Sequence, residues 1–217
     1  MIRLLTLPIL FIAFSFSVYS QNNETINLPL PQKNLGVDIM ESFQLRASAK
    51  LTDFTTKDIS IQELSDILWA GNGVNRPESG KRTAPSALNS QEIDIYICRE
   101  DGVFMYFSEK HCIKKINDED IRQFINGRQH TKAPTILLIV ANMERYKNYK
   151  KGDSKDNERI LSMSAIDAGI VSQNIALMCA ALGVKTRPRA SMMHEEILKA
   201  IAPKEDSTIW LNMPLSK

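Results

Sequence analysis

The sequence predicts a domain that mixes α-helices with β-strands, and three segments indicate this most directly. Residues Ser60–Glu63 have the form of a capping box and open an amphipathic helix. Isoleucines at positions 93, 95 and 97 alternate with other residues up to Asp101–Gly102, a dipeptide typical of a hairpin turn. The segment Asn157–Leu182 is apolar around much of a long helix, which predicts a central position. At 217 residues the chain is long enough for one domain with a substantial core.

Residues 1–20 are predicted to be a secretory signal peptide. Arg3 precedes an apolar run from Leu4 to Val18, which is short for a membrane span, and small residues precede the cleavage point expected after Ser20. An N-terminal membrane anchor is the alternative, which Pro8 and the short run disfavour. We therefore expect an exported protein, most consistent with the periplasm, that has no stable membrane span.

Charge and cysteine content exclude several classes of protein. Without Arg3 the chain has 26 lysines and arginines against 25 acidic residues, so we expect no nucleic-acid partner. The most basic stretch, Arg145–Arg159, is interrupted by acids and predicts a solvated connection. Cys98, Cys112 and Cys179 lack metal-ligand spacing, and their odd number leaves at least one unpaired or bonded between chains. No hydrolase elbow, phosphate loop or metal motif is present, so we predict no metal site.

The remaining elements follow in chain order. Residues 21–36 contain prolines without apolar periodicity and predict an extended arm, which we expect to be ordered against a partner surface. The helix after Ser60 should bury Ile61, Leu64, Ile67 and Leu68. The segment 93–98 predicts a half-buried strand, and 134–143 predicts a strand buried on both faces. Other patterns predict helices at 38–45, 117–126 and 194–200 and strands at 103–107, 184–187 and 208–212.

A first polar motif, Arg46-Ala47-Ser48-Ala49-Lys50, follows the first predicted helix. In an extended segment, cations at alternate positions around a hydroxyl project to one side, where they can hold a phosphate and a ribityl chain. The competing interpretation is a solvated helix end, where cations complement the helix dipole.

Two further polar motifs occur later in the chain. Residues 82–91 form a polar turn before the hairpin, in which Pro85 restricts the backbone while Ser86, Asn89 and Gln91 offer hydrogen bonds. A second turn, Pro188-Arg189-Ala190-Ser191, precedes a helix.

In this order the three motifs resemble the nitroreductase family, the FMN-dependent NAD(P)H oxidoreductases. The second matches its Pro-Ser-x-x-Asn-x-Gln loop, and Ala165–Gly183 looks like its long central helix at the dimer interface. The region of Trp69 and Arg76–Gln91 is similar to the subgroup with the thiazoline and oxazoline dehydrogenases. The resemblance implies an α+β fold over residues 37–217, with a central antiparallel sheet wrapped by helices and an intertwined homodimer. It also implies two FMN sites built from both chains and a ping-pong hydride transfer that needs no catalytic protein residue.

The resemblance also implies roles for individual residues. Arg46 and Lys50 are expected to neutralise the FMN phosphate, with Ser48 bonded to phosphate or ribityl oxygens and Ala47 in the same segment. Asn89 and the amides of the loop around Pro85, Ser86 and Ala87 are expected at the ribityl chain or ring edge. Ala190 or Ser191, in the turn with Pro188 and Arg189, is expected to donate a backbone amide near flavin N5. Arg82 and Arg189 are candidates for a second anionic group or for a surface role.

Three departures from the family pattern are present. Glu92 follows Gln91 where many members continue with Pro-Trp, and basic residues after the last strand are missing unless Lys217 replaces them. Export also separates the protein from NAD(P)H, so we expect another electron donor or a flavin that acts as an oxidant on a small organic substrate. The alternative is a secreted dimeric binding module whose flavin site no longer turns over.

Overall fold

The sheet is built around β7 (Thr135–Asn142), in which all eight residues are buried. The computed structural model describes residues 24–127, 129–149, 154–203 and 206–217. The predicted signal peptide, residues 1–20, lies outside the described residues. β7 pairs with a strand on each edge, and the burial of all eight of its residues confirms the prediction of a strand buried on both faces.

Seven strands form the main sheet of the described chain, in the order β1-β6-β5-β4-β7-β9-β8, with antiparallel pairing throughout. A separate two-stranded ribbon joins β2 to β3. The other strands are β1 (Thr25–Asn27), β2 (Val74–Arg76), β3 (Lys81–Arg82), β4 (Ile93–Arg99), β5 (Gly102–Phe107), β6 (Cys112–Asn117), β8 (Lys185–Thr186) and β9 (Ser207–Ser216).

Helices cover both faces of the sheet and divide the core into two apolar clusters. One cluster joins the sheet to α2 and α4, and the other joins it to α3 and α5. The helices are α1 (Ile39–Leu45), α2 (Ile61–Asn72), α3 (Arg122–Asn126), α4 (Ser154–Ala181) and α5 (His194–Ile201). The fold is therefore a mixed one with a central antiparallel sheet wrapped by helices, as predicted.

The two longest helices pack closely because small residues face the contact. A Cβ placed on Gly71 of α2 would lie 2.8 Å from the Ile175 side chain of α4, so only glycine fits there. Ala168 and Ala176 of α4 are buried, as expected for a central helix. By length and composition α4 could also cross a membrane, but here it packs as a core helix. Its opposite side is open, with Ile166 64% exposed.

Several predicted elements need correction. β4 is fully buried over Ile95–Cys98 rather than half-buried, because α3 and α5 cover its second face. Residues 112–117 form β6, a strand that the sequence patterns did not predict, and α3 begins at Arg122 rather than at 117. β9 continues four residues beyond Asn212, to Ser216. Ile61 opens α2 as predicted but is 46% exposed.

The N-terminal arm packs on its own chain, contrary to the expectation that a partner surface would order it. β1 pairs with β6. Farther along, the carbonyl of Pro29 accepts hydrogen bonds from the Ser65 hydroxyl at 2.5 Å and from Nε2 of His111 at 3.0 Å. The amide of Gln32 donates to Asp66 at 2.8 Å. The arm is thus held by α2 and by the turn before β6.

The cysteines are buried and unpaired, and Cys98 and Cys179 pack in the core. Burial raises the pKa of both thiols far above the usual range. Residues 150–153 of the stretch 145–159 lie outside the described residues, and the described part is not simply a solvated connection. Arg145 is half-buried and pairs with Asp94, while residues 154–159 already belong to α4.

Candidate functional site

The segment 46–50 runs along the edge strand β8. α1 begins after Asp38, whose carboxylate accepts from the Glu41 amide at 2.8 Å, and it ends at Arg46 in an extended conformation. The amide of Ala49 then donates to the carbonyl of Thr186 at 3.0 Å. Ala49 is buried while Ser48 and Lys50 are exposed. The segment is therefore extended, and its polar side chains face outward.

The two cations of this segment are not used within the described chain. No ion pair or side-chain hydrogen bond among the described residues involves Arg46 or Lys50, and the same holds for the hydroxyl of Ser48. Lys217 differs, because its Nζ pairs with Glu63 and donates to the carbonyl of Leu182 at 2.9 Å. Lys217 is thus already engaged, whereas Arg46 and Lys50 are available to an anion.

Arg187 is a third cation at this place, and the sequence analysis missed it. Its Nη1 donates to the carbonyl of Ala49 at 3.2 Å, so the guanidinium lies against the 46–50 segment. Its Nε is buried and has no partner among the described residues. A buried donor that makes no hydrogen bond destabilises the fold. The Nε of Arg187 is therefore a candidate hydrogen-bond donor to an anion that binds here. Arg187 is visible in the sequence as a basic residue directly before Pro188, but no local pattern connects it with the 46–50 segment.

The segment 188–191 continues from Arg187 with alternating exposure. Pro188, Ala190 and Ser191 are exposed, whereas Arg189 turns into the interior. Its Nε donates to Oδ1 of Asn212 at 2.7 Å, and its Nη1 donates to the Gln129 carbonyl at 2.8 Å. The side chain of Arg189 is therefore engaged inside the protein and does not face the 46–50 segment.

Arg189 adds a second positive charge beside Arg187 at this end of the sheet. Burial and the neighbouring Arg187 guanidinium lower the pKa of Arg189 to about 10. The hydrogen-bond partners given for its side chain are neutral, namely Asn212, Gln129 and Asn126. Because none of these is a carboxylate, the positive charge is not cancelled locally, and an anion nearby is favoured.

The backbone of the 188–191 segment presents an unused donor. The amides of Ala190 and Ser191 make no hydrogen bond to another described residue, whereas the Arg189 amide bonds the Asn212 carbonyl at 2.9 Å. Nδ2 of Asn212 also donates to the Ser191 carbonyl at 3.3 Å, which helps to fix the turn. An exposed, fixed amide of this kind can donate to a flat polar ligand.

The loop 85–91 has a strained backbone. Leu88, Asn89 and Gln91 have φ values of 56°, 53° and 51°, a region that residues with side chains rarely adopt. The Ser86 hydroxyl accepts from the Gln91 amide at 2.9 Å and closes the turn. Leu88 is 73% exposed at the tip. The strain places an apolar side chain and the Asn89 amide in solvent.

Two buried carboxylates anchor this loop. Glu92, the residue that departs from the family pattern, accepts from the Ser90 hydroxyl at 2.6 Å and from the Tyr146 hydroxyl at 3.0 Å. Asp167 of α4 accepts from the Ala87 amide at 2.7 Å. Burial raises the pKa of Glu92 and the charge of Asp167 raises it further, while the Ser90 hydrogen bond opposes the rise. Sequence analysis did not identify Asp167 or Tyr146 as anchors.

The loop 85–91 lies far from the other two segments within one chain. One row of paired residues crosses the sheet from its edge to β4. It consists of Arg189 at the edge, Asn212 of β9, Leu138 of β7 and Tyr96 of β4. Three strand spacings amount to roughly 14 Å, and the loop enters β4 three residues beyond that row, roughly another 10 Å along the strand. One chain therefore carries two separate groups of site residues: 46–50 with 187–191, and the loop.

Comparison with known proteins adds an independent line of evidence. The family model described as "Nitroreductase family" matches residues 45–211. A Methanocaldococcus jannaschii protein that carries the name nitroreductase is 30% identical over 164 residues, which cover 70% of this chain and 79% of that protein. A Ralstonia eutropha structure, also named as a nitroreductase, superposes with a TM-score of 0.80 at 27% identity and covers 89% of each chain.

More distant structures share the fold. The Vibrio harveyi NADPH:FMN oxidoreductase complexed with NAD+ has a TM-score of 0.58 at 19% identity, covering 82% of this chain and 67% of the other. The E. coli microcin synthetase McbBCD complex has a TM-score of 0.65 at 15% identity, covering 95% and 84%. With the match that spans residues 45–211, these comparisons identify the chain as a member of the nitroreductase family.

Proposed function

We propose that the protein is an exported, homodimeric FMN-dependent oxidoreductase that passes hydride to or from a small organic substrate. The observation that carries the proposal is the pairing of the 46–50 segment with 187–191. Among the described residues, it combines cations without an ion pair, a buried Arg187 Nε without a partner, and a backbone amide at Ala190 that makes no hydrogen bond. This donor set fits a flavin mononucleotide, which has a dianionic phosphate at one end and a polar ring at the other.

Within this site each group has a distinct task. Arg46, Lys50 and Arg187 neutralise the phosphate, and Ser48 donates to a phosphate or ribityl oxygen. The Ala190 amide donates to the polar edge of the ring and fixes its orientation. The bound flavin supplies the redox chemistry, so the protein needs no nucleophile or general base. The chain's own contribution is to bind the cofactor, orient it and limit access of water.

A second copy of the chain completes the site in this proposal. The loop 85–91 is too distant from 46–50 to close the same site, but a two-fold dimer can bring it to the partner's flavin. Exposed apolar residues lie on the surfaces that such a dimer would bury: Ile39, Met40, Phe43, Leu45, Leu88 and Ile166. In this proposal the partner supplies the exposed side chain of Asn89. The amides of Ala87 and Gln91, which were expected at the flavin, are bonded to Asp167 and Ser86 and hold the loop in its strained geometry.

The absorbance spectrum of the purified protein, residues 21–217, with the released chromophore identified by mass, tests the cofactor. We expect oxidised flavin at about one per chain, in keeping with one set of site residues per chain. A colourless protein that also fails to bind added FMN would contradict the proposal. It would instead support the alternative of a binding module with a degenerate flavin site.

Mixed dimers test the shared site. One variant carries Arg46→Gln and Lys50→Gln, and the other carries Asn89→Ala with Ser86→Ala. After unfolding and refolding as a mixture, heterodimers contain one intact site, so roughly a quarter of all sites should regain flavin under random pairing. If both groups of residues serve the same chain's site, mixing restores nothing.

Export and the electron donor are tested separately. Fractionation of expressing cells should place the mature protein outside the cytoplasm, which Ser20 cleavage would explain. Because NAD(P)H is a cytoplasmic reductant, we propose another donor or an oxidising flavin. Full steady-state turnover of the mature protein with NADPH would contradict this part of the proposal while leaving the cofactor assignment intact.

A further inference from the structure

A slot opens in the sheet where β4 and β5 separate. The two strands pair only from Tyr96–Met105 to Arg99–Gly102. Beyond that point β4 continues on β7 and β5 continues on β6, so residues 93–95 and 106–108 face one another across a gap. The resulting cavity has a volume of about 360 Å³. It lies beside Ser90 and Gln91, on the other side of the loop from its exposed tip.

Arg82 is the main cation in this slot, and its guanidinium is incompletely used. The side chain is only 9% exposed. Its Nη2 meets Glu109 at 3.2 Å, while its Nη1 makes long contacts of 3.4 and 3.5 Å to the carbonyls of Gln91 and Ile93. Its Nε is buried and has no partner among the described residues. The Nε–Nη2 edge of Arg82 is therefore half satisfied.

The other charges of the slot leave that edge available. Arg145 donates to the Asp94 carboxylate at 2.8 Å and to the Gln91 carbonyl at 2.9 Å, so the charges of Arg145 and Asp94 neutralise each other. Glu109, the carboxylate that contacts Arg82, is 67% exposed and contributes one oxygen from the rim. Because Glu109 is largely solvated, its carboxylate loses little when it leaves Arg82, and its single contact is easily exchanged. A ligand carboxylate can replace it and fill both positions of the edge at once.

We propose that the slot binds a small organic monocarboxylate through the Nε–Nη2 edge of Arg82. Two parallel N–H···O bonds to a planar carboxylate suit this edge and satisfy the buried Nε. Met105, Tyr106 and Phe107 line the slot and provide apolar contact for the organic part of the ligand. The site is separate from the proposed flavin site, and its test does not depend on bound FMN.

Titration with 4-fluorobenzoate tests the site by NMR. We expect saturable broadening of the ligand's ¹⁹F signal and a downfield shift of the Arg82 Nε–H cross-peak in ¹⁵N-labelled protein. Binding elsewhere on the protein would leave the Arg82 resonance unchanged, and that outcome would overturn the proposal. Absence of saturable binding up to about 20 mM, the range of very weak ligands, would overturn it as well.

Two variants and one control sharpen the test. Arg82→Lys keeps the charge but removes the paired donors, so affinity should fall about tenfold or more. Glu109→Gln removes the competing carboxylate and should tighten binding by about threefold or more, and this arm stands even if Arg82→Lys fails to fold. Arg99→Lys, which alters an arginine paired with Asp58 outside the slot, should change nothing. Unchanged affinity in Arg82→Lys, or weaker affinity in Glu109→Gln, contradicts the proposal.

Discussion

The two groups of proposed site residues differ in how the fold holds them. The segment 46–50 is fixed by backbone hydrogen bonds and by the Arg187 contact, and its charged side chains have no partner in the described part of the chain. The loop 85–91 is fixed by buried carboxylates and carries left-handed residues. In the first group the side chains are proposed to hold a ligand, whereas in the second most polar groups fix the loop's own shape and leave the Asn89 side chain exposed. Substitutions in the two groups should therefore have different consequences, which the following experiments separate.

The largest effect is expected at the cationic segment. Arg46→Gln with Lys50→Gln removes two charge-assisted contacts to phosphate, each worth about 1.5–3 kcal/mol, so FMN affinity should fall by roughly 10²–10⁴-fold. The free energy of unfolding of the apoprotein should change by less than about 0.5 kcal/mol, because neither side chain has a partner in the described chain. Titration of FMN fluorescence and urea unfolding measure the two quantities. Lys110→Gln, an exposed lysine beyond β5, is the control.

The second effect concerns the anchor of the loop. Tyr146→Phe leaves the buried Glu92 and Asp167 carboxylates without a shared hydroxyl, and should lower the free energy of unfolding by about 1–3 kcal/mol. Urea unfolding gives the value. Tyr149→Phe is a matched control near the surface, where the tyrosine bonds Asp206. Equal losses of unfolding free energy in Tyr146→Phe and Tyr149→Phe would show that the buried hydroxyl stabilises the fold no more than the one near the surface.

The third effect is a pH dependence. Because the pKa of Glu92 is raised in the folded state, that state binds more protons than the unfolded state, and stability should fall as pH rises above the unfolded value of 4.5. Glu92→Gln removes this titration, so its unfolding free energy should depend less on pH and should gain on the wild type at high pH. Urea midpoints from pH 4 to pH 9 test this. If the stabilities of the wild type and Glu92→Gln change in parallel over this pH range, the prediction is contradicted.

The smallest effect is expected at the loop tip. Leu88→Gly relieves a left-handed conformation that glycine adopts freely, and should stabilise the separated chain by about 0.5–1 kcal/mol. The same change removes an exposed apolar side chain, so the proposed dimer should dissociate more readily. Sedimentation velocity and urea unfolding report the two opposite changes. A free energy of unfolding lower in Leu88→Gly than in the wild type would contradict the prediction that relief of strain at Leu88 stabilises the chain.

Sequence analysis predicted correctly the elements that depend on neighbouring residues. The capping hydroxyl of Ser60 and the Asp101–Gly102 turn depend on neighbouring residues, and both appear in the structure. The burial of Tyr96 and Cys98 depends on α3 and α5, which lie far along the chain, so alternation alone gave a half-buried strand. β6 was missed because its lysines interrupt the apolar pattern.

The candidate site shows the same limit. Arg46, Ser48 and Lys50 could be singled out because they are close in sequence. Arg187 could not, because its role follows from the pairing of Ala49 with Thr186 across more than a hundred residues. Asp167 is a carboxylate on an apolar helix, a signal that sequence analysis could have used. Its contact with the Ala87 amide was beyond reach without the fold.

The position of β9 has a consequence for how the chain acquires its structure. β9 is the last of the described strands in the sequence, yet it lies between β7 and β8 in the sheet rather than at an edge. Until it arrives, the apolar strand β7 has an unpaired side that invites association with other chains. Closing this pair joins residues about 65 to 80 positions apart, which slows folding. Chains emerging during synthesis therefore need protection from aggregation until their last strand is available.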